Sequence, residues 1–349
     1  MLHKNQIPTP ALLVDLDLLE SNVARMAQRV KKSGKQLRPH AKAHKCVEIA
    51  RRQIEHGAAG ISVATVPEAE LMAKHKIPGI LLTSPLADPA KIARVARTGA
   101  MAVVDHIRQV TWYDLAATQP IDLLIDLDIG DHRTGARGPE QALEIARAIS
   151  KSKNLRLRGL QAYSVAGSHG IDLATRRQIS ADAFQTAAAT RDLLAREGFP
   201  AGILTGGSTG TWDVDLEIPA LTELQAGSYV LMDLAYGRLG IDFQPAMTIL
   251  ATVVSANHDA FVTVDAGFKA FATDRGYGPE PVHLDAAYRW AGDEFGFLDI
   301  KLGLGDRVEF IAPHVDPTVN LYDRIYACRG ERVEAVWPVA DRFGVTERS

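Results

Sequence analysis

From Leu37 to Lys45 the chain reads Leu-Arg-Pro-His-Ala-Lys-Ala-His-Lys, so one arginine, two histidines and two lysines fall within nine residues. Pro39 biases Arg38 towards extended geometry, and a helical period follows from Cys46 to about His56. The cluster therefore begins in a strand and ends at a strand-to-helix turn. A lysine held at the mouth of an α/β barrel can form a Schiff base with a carbonyl. A solvated charge run is the other reading of the same composition, and spacing does not choose between Lys42 and Lys45. A second pair stands in Pro313-His314-Val315-Asp316-Pro317. In an extended segment, residues two apart project to one face, so His314 and Asp316 are expected to reach one ion together. An imidazole beside a carboxylate, with vacant positions, suits Mn²⁺ or Zn²⁺, although many such pairs are structural. Third, the run Gly206-Gly207-Ser208-Thr209-Gly210 can cradle a phosphate with backbone N–H groups, or simply make a tight turn before a short helix.

These residues need a scaffold, and the chain can supply one. It has 349 residues, 46% of them hydrophobic, enough to bury a large core in one big domain and a smaller one. The net charge is −3, so no global field favours nucleic acid or an anionic membrane as a partner. Met1 to Pro10 lacks the apolar core of a signal peptide, and no stretch is long enough to span a bilayer. The two cysteines, Cys46 and Cys328, lack disulfide-framework or metal-site spacing. A cytoplasmic protein with free thiols is the expectation.

Short apolar runs recur at Leu37–Ala41, Gly60–Ala64, Gly79–Thr83, Met101–Val104, Asp122–Leu127, Arg158–Tyr163, Gly202–Thr205 and Glu223–Tyr229, after a first run at Ala11–Leu16. Helix-period segments such as Pro67–Lys76, Asp88–Thr98, Pro139–Ser152 and Ala174–Glu197 lie between them. That alternation predicts parallel strands joined by helices, one strand more than a (β/α)₈ barrel needs. A doubly wound sheet lacks its Gly-x-Gly-x-x-Gly turn here. Polar residues bunch just after the strands, at Lys42, Asp126–Gly135, Tyr163–His169, Thr205–Gly210 and Gly227–Tyr229, where barrel enzymes place their sites. Beyond Asp233 the texture turns β-rich, at Ala246–Ala256, Phe261–Ala266, Arg307–Ile311 and a hairpin about Arg329-Gly330.

The run Arg-Pro-His-Ala-Lys-Ala-His-Lys resembles the D-threonine aldolase and D-serine dehydratase group of fold-type III pyridoxal-phosphate enzymes, which share the alanine-racemase-like architecture. The resemblance extends from about Thr9 to Trp337 and includes Asp265–Lys269 and Gly292–Gly296. It implies a (β/α)₈ TIM-type barrel over 17–240 and a β-rich domain over 1–16 and 241–349, with Ala11–Leu16 as the strand that leaves the barrel. It also implies that Lys42 carries pyridoxal 5'-phosphate, with His40 and Tyr163 beside the cofactor. Arg133, in an Asp-x-Gly-x-x-Arg-x-Gly run, would lie at the phenolic edge and keep the ring oxygen anionic. Thr205–Gly210 is similar to the family's Thr-Gly-Gly-Gly-Thr-Gly run and Gln225–Tyr229 to its second phosphate stretch, so Gly207, Gly227 and Ser228 are expected at the phosphate, with Ser208 and Tyr229 nearby. His169 aligns with a family histidine proposed as the base for the substrate hydroxyl, whereas Ser164 stands where D-threonine aldolases commonly have histidine. His-x-Asp-Pro-Thr-x-Asn-Leu recurs in the aldolases and His-x-Cys in the D-serine dehydratases, which implies a divalent ion (Mn²⁺ first, Zn²⁺ or Mg²⁺ otherwise) on His314 and Asp316. The activity implied is a homodimeric lyase that cleaves D-β-hydroxy-α-amino acids to glycine and an aldehyde. D-serine or 3-hydroxy-D-aspartate dehydration is the alternative, and a non-catalytic pyridoxal-phosphate carrier a lower one.

Overall fold

The structure is a computed structural model that describes residues 2–169, 172–199 and 201–340. Two compact units divide the chain, one from residues 26–42 and 49–227, the other from residues 2–25, 43–48 and 228–340.

The strands are β1 (Ala11–Asp15), β2 (Gln36–Leu37), β3 (Ser62–Val63), β4 (Leu81–Leu82), β5 (Met101–Val104), β6 (Ile121–Leu127), β7 (Leu155–Ala162), β8 (Ile203–Gly206) and β9 (Glu223–Leu224). Strands β2 to β9 form one all-parallel sheet in the order β2-β9-β8-β7-β6-β5-β4-β3. A bridge from His40 to Ser62, in which Ser62 N donates to Pro39 O at 2.9 Å, joins the two ends of that order. Eight parallel strands thus make the expected barrel. The runs are legible because parallel strands covered on both faces read as unbroken apolar stretches, as Leu123, Leu124 and Ile125 do at 0% exposure. Helices follow the strands at Val47–Glu55, Val66–Lys74, Pro89–Ala96, Ile107–Ala116, Pro139–Ser150 and Leu173–Arg196. Local chemistry starts them: Asp88 caps Ala90 N at 2.9 Å and Asp172 caps Thr175 N at 2.8 Å, while Pro89 and Pro139 occupy first turns, where a missing N–H costs nothing.

The second unit holds a sheet of β1 with β10 (Met247–Ser255), β11 (Val262–Val264), β12 (Glu280–Pro281), β13 (Tyr288–Trp290), β14 (Gly296–Leu298), β15 (Arg307–Ile311), β16 (Arg324–Arg329) and β17 (Arg332–Pro338). Strand β1 runs antiparallel to β10 and parallel to β16, so the surplus strand does leave the barrel. Sequence reading missed β12, β13 and β14, which are too short for alternation to register. Strand β12 pairs with β15 and β14 with β11 and β13, while Tyr288 and Trp290 of β13 join an aromatic cluster with Phe271 and Phe310, centroids 5.1–6.2 Å apart. No side chain fits at Gly296 because a Cβ would lie 2.2 Å from the Tyr288 ring.

Arg38, the first charge of the basic cluster, is a structural residue. Its Nε and Nη2 donate to the two carboxylate oxygens of Glu223 in β9, each at 2.8 Å, with both side chains about 5% exposed. Nη1 donates to Gly79 O, and glycine is required at positions 60 and 79 because a Cβ at either would strike that guanidinium. Removing one partner leaves a buried charge alone, at about 3–5 kcal/mol. Thermal unfolding of Arg38→Ala and Glu223→Ala is therefore expected to show a large loss of stability in each single variant. The Arg38→Met/Glu223→Leu double variant should lie above both singles. Singles that melt with the wild type would contradict the assignment.

Candidate active site

A cavity of about 360 Å³ opens in the barrel unit, lined among others by His40, Lys42, Thr83, Arg133, Gln161 and Tyr163. Lys42 sits in the single 3₁₀ turn Ala41–Ala43, directly after the bridge that joins the sheet ends. Its Nζ lies 5.9 Å from the centre of the Tyr163 ring, and the Arg133 guanidinium lies 5.0 Å from the same centre. Lys45, three residues on, is 8% exposed, is not among the cavity's lining residues, and has its carbonyl bound by Ala340 N at 2.7 Å. The tautomer of His40 follows from its partners. Lys42 N donates to Nδ1 at 3.3 Å, so Nε2 carries the proton and faces Thr83 Oγ1 at 3.0 Å. A neutral imidazole therefore accepts from the backbone amide of Lys42.

The cavity rests on a chain of amides. Gln225 Nε2 donates to Gln161 Oε1 (3.2 Å) and Thr205 Oγ1 (3.1 Å), and Gln161 Nε2 donates to Thr83 O (2.9 Å) and Asp126 Oδ1 (2.8 Å). Thr134 Oγ1 closes the chain on Asp126 Oδ2 at 2.8 Å. Burial pushes the Asp126 carboxyl up to about 6, against those two hydrogen bonds. Sequence reading named Asp126 only as part of a loop and missed Thr83, Gln161 and Gln225. Thr83 was findable, since it follows a barrel strand; a glutamine inside a strand carries no such signal.

The glycine loop after β8 is shaped by packing. Gly207 has φ +76°, and a Cβ there would meet Asp215 Oδ2 at 2.4 Å. At Gly206 and Gly210 a Cβ would strike the carbonyls of Ala162 and Ser168 at 1.8 Å. Ser208 N donates to Asp215 Oδ2 (3.3 Å), Thr211 Oγ1 donates to the same oxygen (2.5 Å), and Ser208 Oγ lies 2.9 Å from Thr211 Oγ1. Packing therefore demands glycine at 206, 207 and 210, and the Ser208 amide donates to the Asp215 carboxyl. Burial pushes Asp215 up to about 7.

His169 follows the short helix Val165–Ser168, where the N-cap Ser164 Oγ accepts from Gly167 N at 3.4 Å. Ser164 Oγ donates in turn to Asp131 Oδ1 at 3.1 Å, which is the work of the serine where a histidine was the family expectation. Neither His169 nor Gly207, Ser208 and Gly227 are lining residues of the 360 Å³ cavity.

In the other unit, Ser228 Oγ donates to Asp316 Oδ1 at 3.0 Å. Tyr229 is fully buried with its ring 5.4 Å from that of Phe243. The expected extended His-x-Asp segment needs correction. His314 is extended (φ −147°, ψ 122°), but a helix begins at once over Val315–Val319, placing Asp316 in its first turn. Asp233 imposes that turn by accepting from Val315 N at 2.7 Å, and the helix N-terminus favours an acidic residue at 316. His314 Nδ1 lies 2.7 Å from Asp274 Oδ2 and Nε2 lies 3.3 Å from Arg275 Nη2. Burial pushes the Asp233 carboxyl above its ordinary range. Among the described residues no three His, Cys, Asp or Glu side chains gather as a metal cage.

Comparison with known proteins adds to this geometry. Residues 14–235 match the model of the alanine racemase N-terminal domain, and residues 246–328 match that of a serine dehydratase domain. A 3-hydroxy-D-aspartate aldolase of Paracoccus denitrificans is 33% identical, with 98% of this chain and 94% of that protein covered. A D-threonine aldolase of an Arthrobacter species is 34% identical, with 97% and 93% covered. The crystal structure of D-threonine aldolase from Filomicrobium marinum superposes with a TM-score of 0.92 at 34% identity, covering 96% of this chain and 95% of that one.

The raised Asp215 carboxyl carries a stability prediction. A folded-state value lifted from 3.8 to about 7 means that the fold binds the protonated form better. The stability it contributes is complete below the unfolded value and is lost as pH rises through about 7. Asp215→Asn, which cannot ionise, is expected to melt above the wild type at pH 8 and to lose that advantage progressively as pH falls through 5 towards 4. The gap at pH 8 should be on the order of 1–4 kcal/mol. Parallel melting curves for the two proteins between pH 5 and 8 would contradict the prediction.

Proposed function

The chain belongs to the family of the alanine racemase N-terminal domain, and from that membership we propose that it is a pyridoxal-phosphate- and divalent-metal-dependent lyase that cleaves D-β-hydroxy-α-amino acids to glycine and an aldehyde. The observation that carries the reading is the placement of Lys42 as the amine of the 360 Å³ cavity that His40, Tyr163 and Arg133 also line, its Nζ and the Arg133 guanidinium lying 5.9 and 5.0 Å from the Tyr163 ring centre. That volume lies within the range of small-molecule pockets, and its donors suit a phosphorylated aldehyde. Residues 17–240 would hold the cofactor, and 1–16 with 241–349 the metal pair. A homodimer in the cytoplasm using Mn²⁺ completes the proposal.

Pyridoxal phosphate supplies an aldehyde that captures the substrate amine and a ring that accepts the electron pair left at Cα. A divalent ion supplies Lewis acidity at the β-oxygen, and His314 with Asp316 would hold it, an imidazole and a carboxylate being the donor set for such an ion. Lys42 would anchor the cofactor and return to it after each turnover. Arg133 would stabilise negative charge at the ring oxygen, and Tyr163 would set the plane against which the ring rests. Gly207, Gly227 and the backbone of Ser228 would serve the phosphate, with Ser208 and Tyr229 shaping their surroundings. His169 would take the β-hydroxyl proton, a task worth roughly 10²–10⁴-fold in rate.

Dehydration is the second reading, favoured by the serine dehydratase domain match over 246–328. It would need the proton removed from Cα instead. A carboxylate at 316, where the dehydratases of the family carry a thiolate, supports cleavage. D-threonine, D-serine and 3-hydroxy-D-aspartate, incubated in parallel and assayed for glycine and for ammonia, separate the two. The expected outcome is glycine with an aldehyde from D-threonine or 3-hydroxy-D-aspartate, no product from the L-isomers, and no product after Lys42→Ala but glycine retained after Lys45→Ala. Ammonia in step with a keto acid, and no glycine, would establish the dehydratase.

A further inference from the structure

Two groups that face the imidazole of His314 sit on consecutive residues of one segment and pull on it in opposite senses. Asp274 Oδ2 lies 2.7 Å from Nδ1, and Arg275 Nη2 lies 3.3 Å from Nε2. A carboxylate can only accept and a guanidinium can only donate, so the pair leaves one consistent arrangement. Nδ1 carries the proton and gives it to Asp274, while Nε2 is a bare lone pair turned towards a cation. The guanidinium is held there: its Nε lies 3.5 Å from Asp274 Oδ2, and the Arg275 side chain is only 20% exposed. Nearby, the Arg238 guanidinium stacks 3.7 Å above the Tyr277 ring and donates to Glu280 at 2.8 Å. It carries the same charge but is engaged by Tyr277 and Glu280.

We propose that Asp274 and Arg275 form an antagonistic pair that governs ion binding at His314. Asp274 is the positioning carboxylate that fixes the Nδ1–H tautomer and leaves Nε2 as the ligand atom. Arg275 is an internal cation that occupies the Nε2 lone pair and must yield it to a divalent ion. Binding is then an exchange of one cation for another at a single nitrogen. The inference rests on the reading of His314 and Asp316 as ion ligands and adds to it two residues with opposite signs of effect. A role confined to holding the fold would give both substitutions the same sign.

The test is Mn²⁺ titration of the cofactor-loaded protein after chelator treatment, with free Mn²⁺ followed by its paramagnetic resonance signal. Asp274→Ala is expected to weaken Mn²⁺ binding roughly 10–100-fold, the usual cost of losing a carboxylate behind a metal-bound histidine, with Asp274→Glu recovering part of it. Arg275→Ala is expected to tighten Mn²⁺ binding several-fold, whereas Arg238→Ala, which removes an equal charge nearby, should leave it within twofold. Melting curves taken on the same samples identify a variant that has lost its fold, and the Arg275 arm decides the proposal if Asp274→Ala is one. Weaker or unchanged binding in Arg275→Ala, beside a wild type that binds one ion, overturns the exchange and leaves the ligand reading standing. A wild type that binds no Mn²⁺ overturns both.

Discussion

The buried pair of Arg38 and Glu223 is the constraint on which the barrel site depends. Two fully paired charges at 2.8 Å in a dry interior are a costly way to join two strands, and their removal together would cost the fold little. What the pair adds is position. It ties the residue after β2 to β9 with two fixed hydrogen bonds, while the third arm of the guanidinium reaches the Gly79 carbonyl. Two residues later His40 bridges to Ser62, and two after that Lys42 enters the cavity. A lysine side chain alone is too flexible to hold an amine at a chosen point; here the backbone beneath it is clamped on both sides.

Around that clamp the site keeps its polar groups in fixed states. His40 is held neutral by one donor and one acceptor. Asp126 and Asp215 are both lifted by burial, and each is braced by hydroxyl or amide donors. The amide chain from Gln225 through Gln161 to Asp126 transmits that order along strand ends of the barrel.

Much of this was legible in the chain. Apolar runs separated by helical periods gave the barrel, because strands buried on both faces have no polar alternation to hide them. The bunching of polar residues after those runs pointed to Lys42, Arg133 and Tyr163, which do share one neighbourhood. Other parts were hidden for definite reasons. Arg38 reads as part of a reactive basic cluster, yet its partner Glu223 is 185 residues away and no spacing rule connects them. The glycines at 206, 207 and 210 have the composition of a phosphate loop, and no spacing rule shows that each also packs against Ala162, Asp215 or Ser168. His314-Val315-Asp316 looks extended in isolation and becomes a helix start because Asp233, far away in sequence, caps Val315. Asp274 and Arg275 lie in an irregular stretch that carries no pattern at all.

The central claim is that the bond from Cα to Cβ breaks while the Cα hydrogen stays. Proton NMR of D-threonine turned over in D₂O reads this directly. Cleavage leaves the original hydrogen on Cα and adds one deuteron from solvent, so the account predicts glycine carrying a single deuterium, formed in step with acetaldehyde. Loss of the Cα hydrogen to solvent, with 2-oxobutanoate deuterated at its third carbon, would contradict it.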